Sequence, residues 1–397
     1  MNSFISVLPV IEIELPRRMN SWHTGCVTFV ETAWGPGLYE PFEGYALAGA
    51  ECDTEFKDLF KEIERSGTHR KSIGKVTPAD LDLHWIDDGG VRAMIHRQKL
   101  FILESKLESE YHLPRALSIL HQIDRAITAS PELVPDIEFS FIVKDLPDEA
   151  HAHHTYWALS KLQVDKEAWL MPDFGFWTWP LDLVGAYEQI RVEGIQNQVA
   201  WEKRIPKVLW RGALKTNKDV RGALYRVTRS KEWADVEEVK WKSRTKVSAG
   251  SAASALSMVD HCNYKFLVHT EGRSYSGRGK YLLNCGSVVI THKSQWMEPH
   301  HAVYINAGLE QNVVEVERDF SDLEEKVLGL LKEPNLAHKI ATNGQKTFRD
   351  RHLTPAAQAC YWRKLFHAWA NVSFQPKPFE TVDGRARLRG VPFETFV

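Results

Sequence analysis

The stretch from Asp260 to Ile290, DHCNYKFLVHTEGRSYSGRGKYLLNCGSVVI, constrains the fold more than any other part of this chain. An apolar run from Tyr264 to Val268 predicts a short strand. It breaks at a turn rich in glycine and serine, Glu271 to Lys280. A helical run, Tyr281 to Asn284, and a second strand, Val288 to Thr291, follow. Strand, turn, helix and strand in that order form the βαβ unit of parallel sheets. The turn falls at the carboxyl end of the first strand, where open α/β sheets bind ligands. Arg273, Arg278, the hydroxyls of Ser274 and Ser276 and backbone N–H groups at a helix start suit a phosphate. The segment therefore predicts a diphosphate-bearing ligand.

Familiar phosphate motifs do not account for it. Gly272 and Gly277 have the separation of a P-loop, but Arg278 stands where the lysine belongs and Gly279 replaces the Ser or Thr. A Mg-dependent nucleotidase is disfavoured. No dinucleotide GxGxxG and no GxSxG, HExxH or kinase set occurs in the chain. What remains is a diphosphate neutralised by arginine and helix N-termini, with no dedicated metal.

A chain of 397 residues suggests two domains, and 43% hydrophobic content supports a full core. The net charge of −2 argues against a nucleic-acid or membrane-surface partner. No apolar run reaches transmembrane length. Met1 to Pro16 carries Glu12 and Glu14 and lacks a basic start, so it reads as a poor signal peptide. The 14 tryptophans read mostly as core, although those near the middle of the chain could stack on a sugar or base.

Residues 1–75 are poorly defined apart from a helical spacing over Glu55 to Glu64. Val91 to Leu103 reads as one or two strands. Leu113 to Ala129 is an amphipathic helix with Leu117, Leu120, Ile123 and Ile127 on its apolar face. Phe139 to Val143 is a buried strand, and Asp145 follows it before Pro147, either an acid placed to face a cleft or, more commonly, an Asp that starts a loop. Trp169 to Pro180 reads as an extended aromatic loop whose Phe176, Trp177 and Trp179 could form an acceptor wall or pack between domains. Trp201 to Pro206 is expected to link the domains.

A second strand-turn-helix unit follows. Lys207 to Trp210 is its strand, Arg211-Gly212-Ala213 its turn, and Lys218 to Arg229 its helix, with Arg221 near the N-terminus. Strands are expected at Val236 to Trp241 and Ala302 to Asn306, and Val313 to Val316 is a short apolar run. A capping box, Ser321 to Glu324, precedes a helix. Thr354-Pro355 opens the helix Ala356 to Ala370, and the tail after Phe374 reads as loose.

Two possible metal sites read more simply as local structure. Asp80-Leu81-Asp82 could hold a cation on a sugar nucleotide, but acids are also favoured at a helix start. His151, His153 and His154 have no carboxylate or cysteine at a telling spacing and read as a solvated loop.

Taken together, IEFSFIVKDLPD (138–148), FGFWTWP (174–180), VLWRGA (208–213), the 260–290 segment and LTPAAQACYW (353–362) resemble glycosyltransferase family 90. This is the family of capsule-associated-protein and Rumi-like protein O-glucosyltransferases, and the chain looks especially like its fungal members. The likeness runs from about Lys75 to Ala370. It implies an α/β fold of the GT-B kind, two Rossmann-like domains facing across a cleft, with the last helix crossing back to the first. By this likeness 76–200 is the acceptor-side domain, 207–352 the nucleotide-sugar domain, 353–371 the returning helix and 372–397 a tail. Asp145 matches the catalytic base. Arg211, Gly212, Ala213, Arg221 and the loop Arg273, Ser274, Tyr275, Ser276, Gly277 and Arg278 match the donor site, and Phe176, Trp177 and Trp179 the acceptor wall.

The family implies an inverting transfer of glucose or xylose from a UDP-sugar to a hydroxyl on a protein or polysaccharide, with no metal cofactor. Ala213 departs from the serine that many relatives carry, which removes one side-chain hydrogen bond to the donor. Cys262 and Cys285 match a disulfide of animal relatives, and Cys360 one to an N-terminal cysteine, here Cys26 or Cys52. Such bridges imply an ER or Golgi lumen, and the sequon Asn371-Val372-Ser373 is compatible with it. Two other readings stay open: a catalytically silent relative that binds nucleotide or glycan, and a small-molecule kinase, which would need the missing P-loop lysine.

Overall fold

The computed structural model describes residues 43–146, 154–179, 184–240 and 255–396. The expectations placed on Cys26, Pro147, His151, His153 and Pro180 lie outside them. The described residues build two large sheets, each with helices against it, and three two-stranded ones, within one compact unit.

Helix α1 (Lys61–Ile73) precedes a hairpin of β1 (Gly90–His96) and β2 (Lys99–Lys106). Helix α2 (His112–Thr128) leads to β3 (Ile137–Ile142), β4 (Tyr156–Ala158) and β5 (Ala168–Leu170). Only β3, β4 and β5 run parallel; β1 is antiparallel to both β2 and β3. The first sheet thus departs from the all-parallel Rossmann arrangement. The cause is local. Arg97 and Gln98 both have positive φ, 49° and 63°, the signature of a tight hairpin turn whose twist matches its strands. Asp136 stabilises it by accepting from the Arg97 N–H at 2.9 Å.

The second sheet is wholly parallel. It comprises β6 (Ile205–Gly212), helix α3 (Lys218–Thr228), β7 (Ala234–Glu238), β8 (Tyr264–His269), helix α4 (Gly279–Leu283), β9 (Val288–His292) and β10 (Val314–Val316). Its spatial order is β7-β6-β8-β9-β10. The order reverses between β6 and β8, so the carboxyl ends of these two strands form the topological switch point where such sheets take ligands.

Helices α5 (Leu323–Lys332) and α6 (Pro334–Thr347) cover the second sheet, and the chain then returns to the first through α7 (Pro355–Ala370). Thr354 caps α7 by accepting from the Ala357 N–H. Trp362, Leu365, Phe366 and Trp369 of α7 share one core with Phe139 and Trp157, whose rings stack with centroids 4.0 Å apart. The Trp369 indole donates to the Glu138 carbonyl at 2.9 Å, so its polar edge is satisfied inside that core.

Disulfides join Cys52 to Cys360 and Cys262 to Cys285. The first ties the helix Gly49–Glu55 to α7 across 308 residues of sequence, and the second spans the segment 260–290. Replacing Cys360 with Ser is expected to lower stability by about 2–5 kcal/mol, because a long loop regains freedom in the unfolded chain. Denaturant titration of the oxidised protein checks this, and an unchanged midpoint would contradict it.

Several expectations need correction. Trp169 to Pro180 is not simply extended: it contains the end of β5, a 3₁₀ turn at Phe174–Phe176 and a short strand at Thr178–Trp179. Trp201 to Pro206 is structured: it holds a 3₁₀ turn at Trp201–Lys203 and the start of β6 at Ile205. Ala302 to Asn306 is not a strand; a 3₁₀ helix fills Pro299–Val303 and coil follows. Asp322, not Ser321, stands at the N-cap of α5, its carboxylate accepting from the Glu317 N–H, and Glu324 turns to Lys231 and Trp233. Leu117 is only half-buried, because the apolar stripe of α2 runs through Ala116, Ile119, Ile123 and Ala126. The tail is built into the fold: β11 (Val391–Pro392) adds to β2, and Phe393 enters the first core.

Candidate active site

The loop from Thr270 to Gly279 leaves β8 at the switch point and is held from several sides. Glu271 accepts from the backbone N–H groups of Gln295 and Trp296 and pairs with Arg318 at 2.7 Å. Asn217, the N-cap of α3, donates to the Gly272 carbonyl at 2.9 Å. Gly277 is fixed by close packing: a Cβ there would lie 2.7 Å from the Trp179 ring. The loop is a preorganised element, which a binding site requires.

Two arginines reach under it. Arg221 donates from Nε to the Glu271 carbonyl at 2.9 Å and from Nη1 to the Ala213 carbonyl at 3.1 Å. Arg278 donates from Nη1 to the Arg211 carbonyl. Among the described residues no carboxylate offsets either charge. Burial, and then the neighbouring Arg278, pull the Arg221 pKa down to about 9; burial alone pulls that of Arg278 down to about 10. Two guanidiniums held where their charge is disfavoured favour an anion between them. Arg211 is spoken for differently: it pairs with Asp235 at 2.6 Å. Gly212 ends β6 against the Trp210 ring and Arg278, and Arg273 is exposed on the rim.

Asp145 lies just beyond β3. Its carboxylate accepts from Arg115 Nη1 at 2.7 Å, yet its side chain keeps 32% exposure, so a substrate can reach it. Arg115 is a buried residue of α2; it also donates to the Val143 carbonyl at 3.0 Å and to the Tyr111 hydroxyl. Its guanidinium sits 3.9 Å from the Tyr111 ring centroid and 4.4 Å from that of Phe174, which fixes it in place. The Ser274 hydroxyl donates to the Asp145 carbonyl. One loop therefore touches the acid through Ser274 and contributes Arg278 to the arginine pair.

The same loop is clasped from below. Lys280 donates to Asp173 at 2.8 Å and to the Gly277 carbonyl at 2.6 Å, with both side chains of the ion pair almost fully buried. Asp173 in turn accepts from the Gly175 N–H at 2.7 Å. The aromatic trio divides. Phe176 is buried against Tyr187, whereas Trp177 and Trp179 are half-exposed. Trp177 stacks on His121 at 4.7 Å and lies under Arg125. Tyr275 is buried in the first core, and Ser276 is partly exposed with its carbonyl accepting from the Gly279 N–H.

Sequence reasoning missed Arg115, Asp173 and Lys280. Arg115 left a readable signal, because it falls four residues before Ile119 on the buried stripe. Asp80 and Asp82 do not converge on one site: Asp80 pairs with Arg70 and accepts from the Thr77 N–H, and Asp82 accepts from the His84 N–H and meets His154, the one histidine of the suggested trio among the described residues.

Comparison with known proteins settles the family, since the profile of Glycosyl transferase family 90 matches residues 58–382. The chain belongs to glycosyltransferase family 90. Within it, the chain is 28% identical over 267 residues to an O-glucosyltransferase rumi homolog of Aedes aegypti, an alignment covering 60% of this chain and 62% of that one. It is 26% identical over 317 residues to Protein O-glucosyltransferase 1 of Rattus norvegicus, covering 76% and 75%. The human protein of the same name is 24% identical over 320 residues, covering 77% and 76%. No helix among the described residues of this family 90 chain is long and apolar enough to cross a membrane. Its two disulfides fit an oxidising compartment.

Proposed function

We propose that this chain is an inverting glycosyltransferase that moves glucose or xylose from a UDP-sugar to a hydroxyl of a protein or polysaccharide. The observation that carries this reading is the loop joining two charge-uncompensated arginines to a solvent-reached carboxylate. The O-glucosyltransferase names of the relatives support it. In this reading 76–200 and 207–352 act as the two halves of a GT-B arrangement, with the switch point of the second facing Asp145. The working compartment is the ER or Golgi lumen.

Asp145 takes the proton from the acceptor hydroxyl as that oxygen attacks C1 of the sugar. The bond from C1 to the diphosphate oxygen breaks, and UDP leaves with the electron pair. Arg221, Arg278 and backbone N–H groups of the loop meet the developing charge, the work a metal does elsewhere. Ala213 contributes its carbonyl as an anchor for Arg221, so the missing serine hydroxyl leaves the arginine itself in place. Arg115 positions Asp145. Arg211, Gly212, Arg273, Tyr275, Ser276 and Gly277 shape the donor site, and Trp177 and Trp179 offer the aromatic surface for the acceptor.

A donor screen reading nucleotide release tests this. Turnover of UDP-glucose or UDP-xylose without added divalent cation is expected. UDP binding without turnover of any donor would replace the proposal with a silent binding protein, and turnover of ATP alone with a kinase.

A further inference from the structure

Behind the donor loop lies a buried cluster that the transfer chemistry does not use. His269 ends β8, Glu298 caps the 3₁₀ helix Pro299–Val303, and His301 stands in that helix. One ligand atom from each lies within 4.8 Å of the other two. Glu298 Oε2 and His301 Nε2 face each other at 3.8 Å. Among the described residues neither atom has a hydrogen-bond partner, although Glu298 is only 3% exposed. Both ring nitrogens of the neighbouring His300 and the Tyr304 hydroxyl are likewise unpaired. A buried polar atom left this way forfeits the hydrogen bonds it would make in water, so an arrangement with several of them calls for an occupant.

We propose that His269, Glu298 and His301 bind a zinc-class divalent transition ion. Two imidazoles and one carboxylate select a borderline cation over magnesium or calcium, which prefer oxygen alone. Zinc bonds of ~2.0–2.2 Å set ligand atoms about 3.4 Å apart, so a small inward shift closes the site. The ion is structural in position. The His269 ring lies against Gly279, where a Cβ would fall 2.9 Å from Cε1, so the site sits behind the loop, one residue from Arg278. It fastens the end of β8 to the 298–301 turn beneath the donor loop. The site is independent of which sugar, if any, the enzyme transfers.

The test uses the full chain without a histidine tag, dialysed against metal-free buffer. Zinc is measured by elemental mass spectrometry, and the metal-free protein is then titrated with Co²⁺ and followed by visible absorption. One tightly held zinc per chain, or saturable Co²⁺ binding with intense tetrahedral bands, is expected. Glu298→Gln and His301→Ala should both abolish it, while His338→Ala, at the distant contact with Trp201, should not. Absence of both zinc and saturable Co²⁺ binding would overturn the proposal, as would wild-type metal binding in the two ligand variants. Circular dichroism confirms folding, and if His301→Ala fails to fold, the near-isosteric Glu298→Gln decides.

Discussion

Asp145→Asn is expected to lower sugar transfer by about 10²–10⁴-fold, the range lost when a positioned general base is removed. Donor affinity and thermal stability should change little. The amide oxygen can still accept from Arg115, now at 2.7 Å from the carboxylate, and the Ser274 contact is to the backbone carbonyl, which the substitution leaves intact. What the amide lacks is the capacity to take a proton. Single-turnover assays at saturating donor, with donor binding measured in parallel, separate chemistry from binding. Loss of donor binding matching the loss of rate would reassign Asp145 to holding the donor loop.

The second large effect concerns the clasp under the loop. Lys280→Met removes one partner of an ion pair whose side chains are 1% and 2% exposed, leaving the Asp173 carboxylate buried with its charge unmatched. Breaking such a pair costs about 3–5 kcal/mol. The loss should appear as a lowered denaturation midpoint with an unchanged denaturant slope. Adding Asp173→Asn to Lys280→Met should recover part of it, because the uncompensated charge is gone; an additive double variant would show that the two residues act separately. Because Lys280 also donates to the Gly277 carbonyl, the single variant should loosen the donor loop and weaken UDP binding.

Local pattern made some of this legible in the sequence. The apolar run Phe139 to Val143 placed Asp145 just past a strand end, and the Gly-Ser stretch after β8 was readable as a turn between strand and helix. The Thr354-Pro355 cap of α7 was equally plain. What escaped depends on contacts remote in sequence. Asp173 and Lys280 are 107 residues apart, and no local rule pairs them. The hairpin of β1 and β2 was ambiguous because Arg97 and Gln98 adopt positive φ without the Asn-Gly signature of such turns. The tail looked loose because it is charged and proline-containing; Arg389 pairing with the buried Glu138 and Phe393 entering the core supply its order, and both partners lie far upstream. Arg115 drew no notice beside the apolar residues of α2, although a buried arginine must have a partner, and that partner is Asp145.

Under the proposed function this chain transfers a sugar from UDP to a hydroxyl with Asp145 as base. Intact-mass spectrometry of acceptor proteins and oligosaccharides after incubation with UDP-glucose or UDP-xylose tests it most directly. The expected result is an acceptor heavier by one hexose or pentose with wild-type enzyme and unchanged with Asp145→Asn. Equal modification by both proteins, or no modification with any donor that the protein demonstrably binds, would contradict it.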